Sequence, residues 1–185
     1  MKNLTLDTNC LYELENPAPS PALARILDCF HCNEVRLRVP AMAASERQRG
    51  GGQLANFGLF RDRVSRLGLQ EAELLRPIAY SNLCYADWCV ASGPALEELE
   101  RAIHGILFPT IAFDAALHCP PSDSEGRSKW RNAKCDVQSM WCHIHYGGDI
   151  YVTRDANFLK CSKKPRLEAL GARVIATPED ALHAA

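Results

Sequence analysis

No stretch of these 185 residues approaches the ~20 apolar residues that a membrane-crossing helix needs, so none is expected. Net charge is nearly absent: 21 Lys and Arg against 22 Asp and Glu leave −1. A chain so balanced has no overall field that draws in nucleic acid, and any such binding must come from a local basic patch. There is no apolar leader, because a strand pattern and an acid arrive together in Leu4-Thr5-Leu6-Asp7. No signal peptide is therefore expected, and a cytoplasmic location is. Internal repeats, low-complexity runs and a clear second domain are also missing, which favours a single domain. A second CxxC is lacking as well. Cys29-Phe30-His31-Cys32 would be half of a zinc site with Cys142-His143-Ile144-His145 as the other half, or else Cys29 lies on the core face of a helix and Cys32 at its end. For most of the nine cysteines, buried free thiols are the expected state.

What is present is core-forming material, with 47% apolar residues. Leu4-Thr5-Leu6 reads as a strand, and a helical turn begins at Cys10. Ser20 caps a helix starting at Pro21, with Leu23, Ile26, Leu27 and Phe30 on its apolar side. Val35, Leu37 and Val39 alternate with arginines as a strand that stops at Pro40. The pattern predicts a short helix over 41–48 carrying Glu46, then helices over 54–67 and 94–107. A loop is predicted over 120–128 and a long helix over 129–146. Ile150-Tyr151-Val152-Thr153 and Arg173-Val174-Ile175-Ala176 are strands, with a short helix over 165–170 between them and Thr177 capping a last turn. Segments 71–93 and 108–119 are ambiguous. The order β, α, β, several helices, β, α, β, α points to parallel strands with crossover helices.

Acids follow two of these strands directly: Asp7 the first, Asp155 the one through Thr153. Ligands of open α/β sheets bind beyond the carboxyl ends of the strands. Asp136 lies at the margin of the apolar stripe of the long helix, in line with Asn132, Met140 and His143, and Glu46 follows the second strand. Crowded carboxylates repel one another unless a cation intervenes, and an all-oxygen set suits Mg²⁺ or Mn²⁺. Such an ion serves phosphodiester hydrolysis. Asp149 starts the strand that Asp155 ends, roughly 20 Å away, and is assigned a structural role.

These motifs resemble those of PIN domains. Asp7-Thr8-Asn9 resembles their opening motif and Ser45-Glu46 their second acid. Asp136, on a helix leading into the segment from Asp149 to Phe158, resembles their third and fourth acids. The ending from Val174 to Asp180 is also similar. The resemblance spans both ends of the chain and not the middle. Cys135 stands where the family often has Asn before the third acid, and the middle is longer than in the smallest toxins.

The resemblance implies a three-layer α/β/α domain over 1–185 with a central parallel sheet and an extended helical region about 70–128. It implies a Mg²⁺- or Mn²⁺-dependent endoribonuclease, often the toxin of a toxin–antitoxin pair, so that RNA, a small antitoxin protein and a second copy of the chain are the expected partners. Asp7, Glu46, Asp136 and Asp155 would hold the metal. Thr8, Asn9 and Thr153 would orient them, and Asn157 would assist. Arg47, Arg49, Lys129, Arg131 and Arg154, with Arg127 and Lys134, are either phosphate contacts or solvated charges. Trp130 and Tyr146 either stack on bases or pack internally, and His143 is a candidate for proton transfer. Two alternatives stand beside ribonuclease: a PIN-like module that binds RNA or a protein without cleaving, and a stand-alone nuclease acting on DNA.

Overall fold

The computed structural model describes residues 1–46, 52–81, 83–85 and 88–184. Its centre is a five-stranded, fully parallel sheet in the order β3-β2-β1-β4-β5. The strands are β1 (Lys2–Leu6), β2 (Val35–Pro40), β3 (Glu73–Leu75), β4 (Ile150–Val152) and β5 (Val174–Ala176). The helices are α1 (Thr8–Leu14), α2 (Pro21–His31), α3 (Phe57–Arg66), α4 (Pro94–Leu107), α5 (Ala115–His118), α6 (Ser124–His145), α7 (Ala156–Leu159), α8 (Lys164–Leu167) and α9 (Pro178–Ala184).

Because successive strand residues face opposite ways, each face of the sheet carries its own core. Leu4, Leu6, Leu37, Val39, Ile150 and Val152 pack with Leu11 of α1, Leu23 and Ile26 of α2, Phe60 and Val64 of α3 and Ala181 of α9. On the other face Tyr151, Ile175 and Leu75 meet Ile103 and Leu107 of α4 and Val137, Met140 and Trp141 of α6. The result is the three-layer α/β/α architecture expected. β3 adds a strand in the ambiguous segment after 70, and its three residues are too few for an alternating pattern to show.

Helix boundaries differ from the sequence reading at several places: the helix predicted over 54–67 runs Phe57–Arg66 with Asn56 as its cap, the one predicted over 165–170 is Lys164–Leu167 followed by a π turn over Glu168–Ala172, and two further differences bear on the site. Of the helix predicted over 41–48, Ala41–Ser45 turns as a 3-10 segment and Glu46 follows it with extended backbone, while residues 47 and 48 lie outside the described residues. All five turn residues are buried, so no polar face exists along which a helix could continue. The long helix begins at Ser124 instead of Lys129. Asp123 caps it by accepting from the Gly126 amide at 2.9 Å, and the polar first turn carries no apolar stripe to reveal it.

Chain reversal after α6 requires two glycines. Gly147 takes a left-handed φ of +66°. Gly148 lies against the His143 ring, where a Cβ would come 2.2 Å from Nδ1. His143 is fully buried, with Nδ1 2.9 Å from the Thr5 hydroxyl and Nε2 2.9 Å from the Ala172 carbonyl. The neutral ring thus donates from Nε2 and accepts at Nδ1, and burial pushes its pKa down to about 4. It ties α6 to β1 and to the chain before β5, and has no route to the acids for proton transfer. At the other end of β4, Asp149 accepts from the Asn3 amide at 2.8 Å and pairs with Arg173.

Candidate active site

The strand order fixes where the acids meet. From β1 the chain builds outward to β2 and β3, then returns to place β4 on the other side of β1. The gap beyond the carboxyl ends of β1 and β4 is therefore the switch point of the sheet. Asp7 leaves β1 there, its amide bonded to the Val152 carbonyl at 3.0 Å, and Asp155 leaves β4 beside it. Glu46 comes in after β2, and Asp136 reaches across from α6. All four line one cavity of about 260 Å³, together with Thr8, Asn9, Tyr12 and Arg154.

Asp7 is buried and held on both oxygens. Oδ1 caps α1 by accepting from the Thr8 amide at 2.8 Å. Oδ2 accepts from the Thr153 hydroxyl and from Asn9 Nδ2, both at 2.5 Å. Asn9 Nδ2 also reaches Thr153 Oγ1 at 3.0 Å, while its Oδ1 accepts from the Arg154 amide at 3.0 Å, which binds the two strand ends together. The Thr8 hydroxyl donates to Glu46 Oε1 at 2.6 Å. Asp155 caps α7 by accepting from the Asn157 amide at 2.7 Å, and its own amide donates to Thr153 Oγ1 at 3.0 Å. Asn157 turns away from the acids, with its Oδ1 accepting from Lys163 at 2.5 Å.

Burial and mutual repulsion hold Asp7, Glu46 and Asp136 toward their neutral forms. Desolvation raises the Asp7 pKa, against the Thr153 and Thr8 hydrogen bonds, and the Asp155 charge adds to the rise. Desolvation also lifts Glu46 to about 8, with the Asp7 charge next. Asp136 rises well above the usual carboxylate range from desolvation, then from the charges of Asp7, Glu46 and Asp155. Among the described residues no Lys or Arg forms an ion pair with Asp7, Asp136 or Asp155. Four carboxylates lining one cavity are hard oxygen donors of the kind that suits a small divalent cation. Among the described residues, however, no group of three or more His, Cys, Asp or Glu side chains is close enough as it stands to hold a metal ion. Mg²⁺ commonly retains several waters and is bound through one or two carboxylates in place of an all-protein cage.

No family model matches the chain, and neither does any curated protein. Among solved structures it is similar to a chain in the crystal structure of FitAcB from Neisseria gonorrhoeae. That chain is 16% identical, with a TM-score of 0.39, and the match covers 95% of this chain and 98% of that one.

The cations expected at the site divide by environment. Arg47 and Arg49 lie outside the described residues. Arg154 lines the cavity, but its guanidinium is spread over Glu13, Glu179 and Ser20, tying α1, α9 and the start of α2 together. Arg131 is half-buried, and its Nη2 donates to the Ser45 carbonyl at 2.9 Å, next to Glu46. Lys129 is exposed and pairs with Glu125 one turn away. Lys134 is fully buried against Glu100 at 2.9 Å and cannot reach a phosphate. Trp130 donates to the Phe113 carbonyl, and Tyr146 donates to the Arg76 carbonyl and packs on Trp141, so both serve the interior. All nine cysteines are free. Cys142 is buried in the core of α6, its neighbour His143 is fully engaged, and Cys32 is exposed, so the two halves of the supposed zinc site do not form one ligand set.

Two groups at the site escaped the sequence reading. Tyr12 lies four residues after Thr8 and shares its helix face, a spacing that would have disclosed it. Tyr151 is buried on β4, where its hydroxyl lies 2.9 Å from Ser139 Oγ and is among the electrostatic neighbours of Asp7. Its inward position looked like simple core packing.

Proposed function

We propose that the protein is a PIN-like endoribonuclease dependent on Mg²⁺ or Mn²⁺. One observation carries this reading: four acids, from segments far apart in the chain, line a single cavity at the switch point of a parallel sheet. Asp7, Glu46, Asp136 and Asp155 would hold the ion, which supplies Lewis acidity toward a phosphodiester and water. The chain's own part is placement. Thr153 and Asn9 fix one oxygen of Asp7, and the Thr8 amide fixes the other, so its carboxylate cannot rotate. The Thr8 hydroxyl holds one oxygen of Glu46. Held this way, Asp7 presents a fixed carboxylate toward which the other acids would move when an ion and a phosphate arrive. Arg131, beside Glu46, is the described cation best placed to meet a neighbouring phosphate. A role as the toxin of a toxin–antitoxin pair, with a small protein partner covering the cavity, accords with the motif resemblance. So do a single domain over 1–185, a cytoplasmic location and a homodimer.

The test is cleavage of single-stranded RNA with Mn²⁺, by the wild type and by Asp7→Asn and Asp155→Asn. Cleavage that needs the metal and is lost in both variants is the expected result. A DNA strand of the same sequence, cut faster than the RNA, would assign the site to DNA. RNA binding by the intact protein without metal-dependent cleavage would leave the non-cleaving module as the function.

A further inference from the structure

Close to the acids, the Tyr151 hydroxyl on β4 lies 2.9 Å from Ser139 Oγ on α6, and both residues are buried. Burying two hydroxyls costs free energy that purely apolar side chains at the same places would not incur. The Tyr151 ring is wedged against His143 and Phe158, with centroids 5.3 and 5.2 Å away, so its hydroxyl has a fixed place. In the sheet, Tyr151 stands in register with Thr5 of β1, two residues before Asp7. Two residues on, Thr153 continues the ladder through the hydrogen bond of its amide to the Ala176 carbonyl. It points the same way as Tyr151 and donates to Asp7 Oδ2. The charges of both Asp7 and Asp136 bear on the Tyr151 hydroxyl. Ser139, for its part, follows Asp136 by three residues on α6 and shares its side of the helix. The two hydroxyls therefore bridge the helix that carries Asp136 and the strand beside Asp7.

We propose that Tyr151 and Ser139 are positioning residues that fix the spacing of Asp136 from Asp7 for the divalent ion. The inference rests on the metal-dependent reading of the site. Among the described residues no three ligating side chains are close enough as they stand to hold an ion, so the acids have to come together when one binds. The cost of that step depends on how far apart their backbones are kept. Asp7 is fixed on both oxygens, and Asp136 has to approach it. With α6 tied to β4 at Ser139, the approach is a movement of the Asp136 side chain alone. Without the tie, the helix turn that carries Asp136 settles farther from the sheet, and part of the binding energy goes into bringing it back. Loss of an outer partner of a metal ligand commonly lowers affinity about 10–100-fold.

The experiment is calorimetric titration of the full chain with Mn²⁺, which needs no turnover. Tyr151→Phe keeps the ring and should weaken Mn²⁺ binding about tenfold. Ser139→Ala should weaken it as well, and should add nothing in the Tyr151→Phe background, because the two hydroxyls act as one unit. Tyr146→Phe is the comparison. It removes the same atom near the end of α6, about 15 Å along the helix from Asp136, where the hydroxyl donates to the Arg76 carbonyl at 3.1 Å. It should leave Mn²⁺ affinity unchanged. Equal affinity in the wild type and Tyr151→Phe, losses that merely add, or an equal loss in Tyr146→Phe overturns the assignment and leaves the metal reading standing. A wild type that binds no Mn²⁺ removes the metal reading and this inference together.

Discussion

Replacing Asp136 by asparagine is expected to lower metal-dependent cleavage by more than roughly a hundredfold, beyond the 10–100-fold typical of groups that merely orient a ligand. It is also expected to make the metal-free protein more stable. The two effects share one cause. Asp136 carries a strongly raised pKa from desolvation and from Asp7, Glu46 and Asp155, so ionising it costs folding free energy. An isosteric neutral amide removes that cost. Relief of this kind is commonly worth about 0.5–2 kcal/mol, and each kcal/mol moves the melting temperature of a chain this size by about 2–4 °C. The pH dependence has a definite sign. Unfolded carboxyls ionise near pH 4, whereas folded Glu46 keeps its proton to about 8. Between those values the folded state binds more protons than the unfolded state, so stability falls as pH rises. In a chelator the melting temperature should drop from pH 5 to about 8 and level off beyond. Asp136→Asn should flatten that slope, and Mn²⁺ should flatten it in the wild type. A melting curve indifferent to pH and to Mn²⁺ would show that the acids do not strain the fold.

The second large effect lies away from the cavity. Lys134→Met should destabilise the protein by about 3–5 kcal/mol, because it strands a buried carboxylate. Lys134 and Glu100 are both wholly buried and 2.9 Å apart. Gln138 Nε2 donates to the same Glu100 oxygen at 2.7 Å, and the Tyr80 hydroxyl donates to the other at 2.6 Å. The lysine ammonium lies 3.6 Å from the centroid of the Phe113 ring. This network joins α6, which carries Asp136, to α4 and to the chain on either side of it. The double variant Lys134→Met with Glu100→Gln leaves no net charge inside and keeps an acceptor for Gln138, so it should recover at least half of the loss. Thermal denaturation of the single and double variants measures both. A double variant no more stable than the single one would show that the packing of the lysine stem, and not its charge, holds these helices together.

Strand ends were the most legible part of the sequence. A short β-branched or apolar run followed at once by an acid has few interpretations, and Asp7 and Asp155 flank the same cavity. Asp136 was readable from its angle at the edge of an apolar stripe. Glu46 was readable by position although its local structure was not, since a buried turn of Ala41, Met42, Ala43 and Ala44 looks like helix from propensity alone. Lys134 misled because residue type was weighed over periodicity. It falls on one stripe with Val137 and Trp141, and spacing alone places it inside. Glu100, which neutralises it, lies 34 residues back on a separate helix, and the Tyr80 and Phe113 rings beside it lie in the segments with ambiguous patterns. Arg154 was hidden in the same way, because an ion pair with Glu13 and Glu179 is a fact of tertiary structure with no local signature.

Calorimetric titration of the wild type and of Asp136→Asn with Mn²⁺ at about pH 8, where Glu46 is half ionised, asks directly whether these carboxylates hold a divalent ion. Saturable binding by the wild type, weakened at least tenfold by the substitution, is the predicted result. Identical isotherms for the two proteins would contradict it.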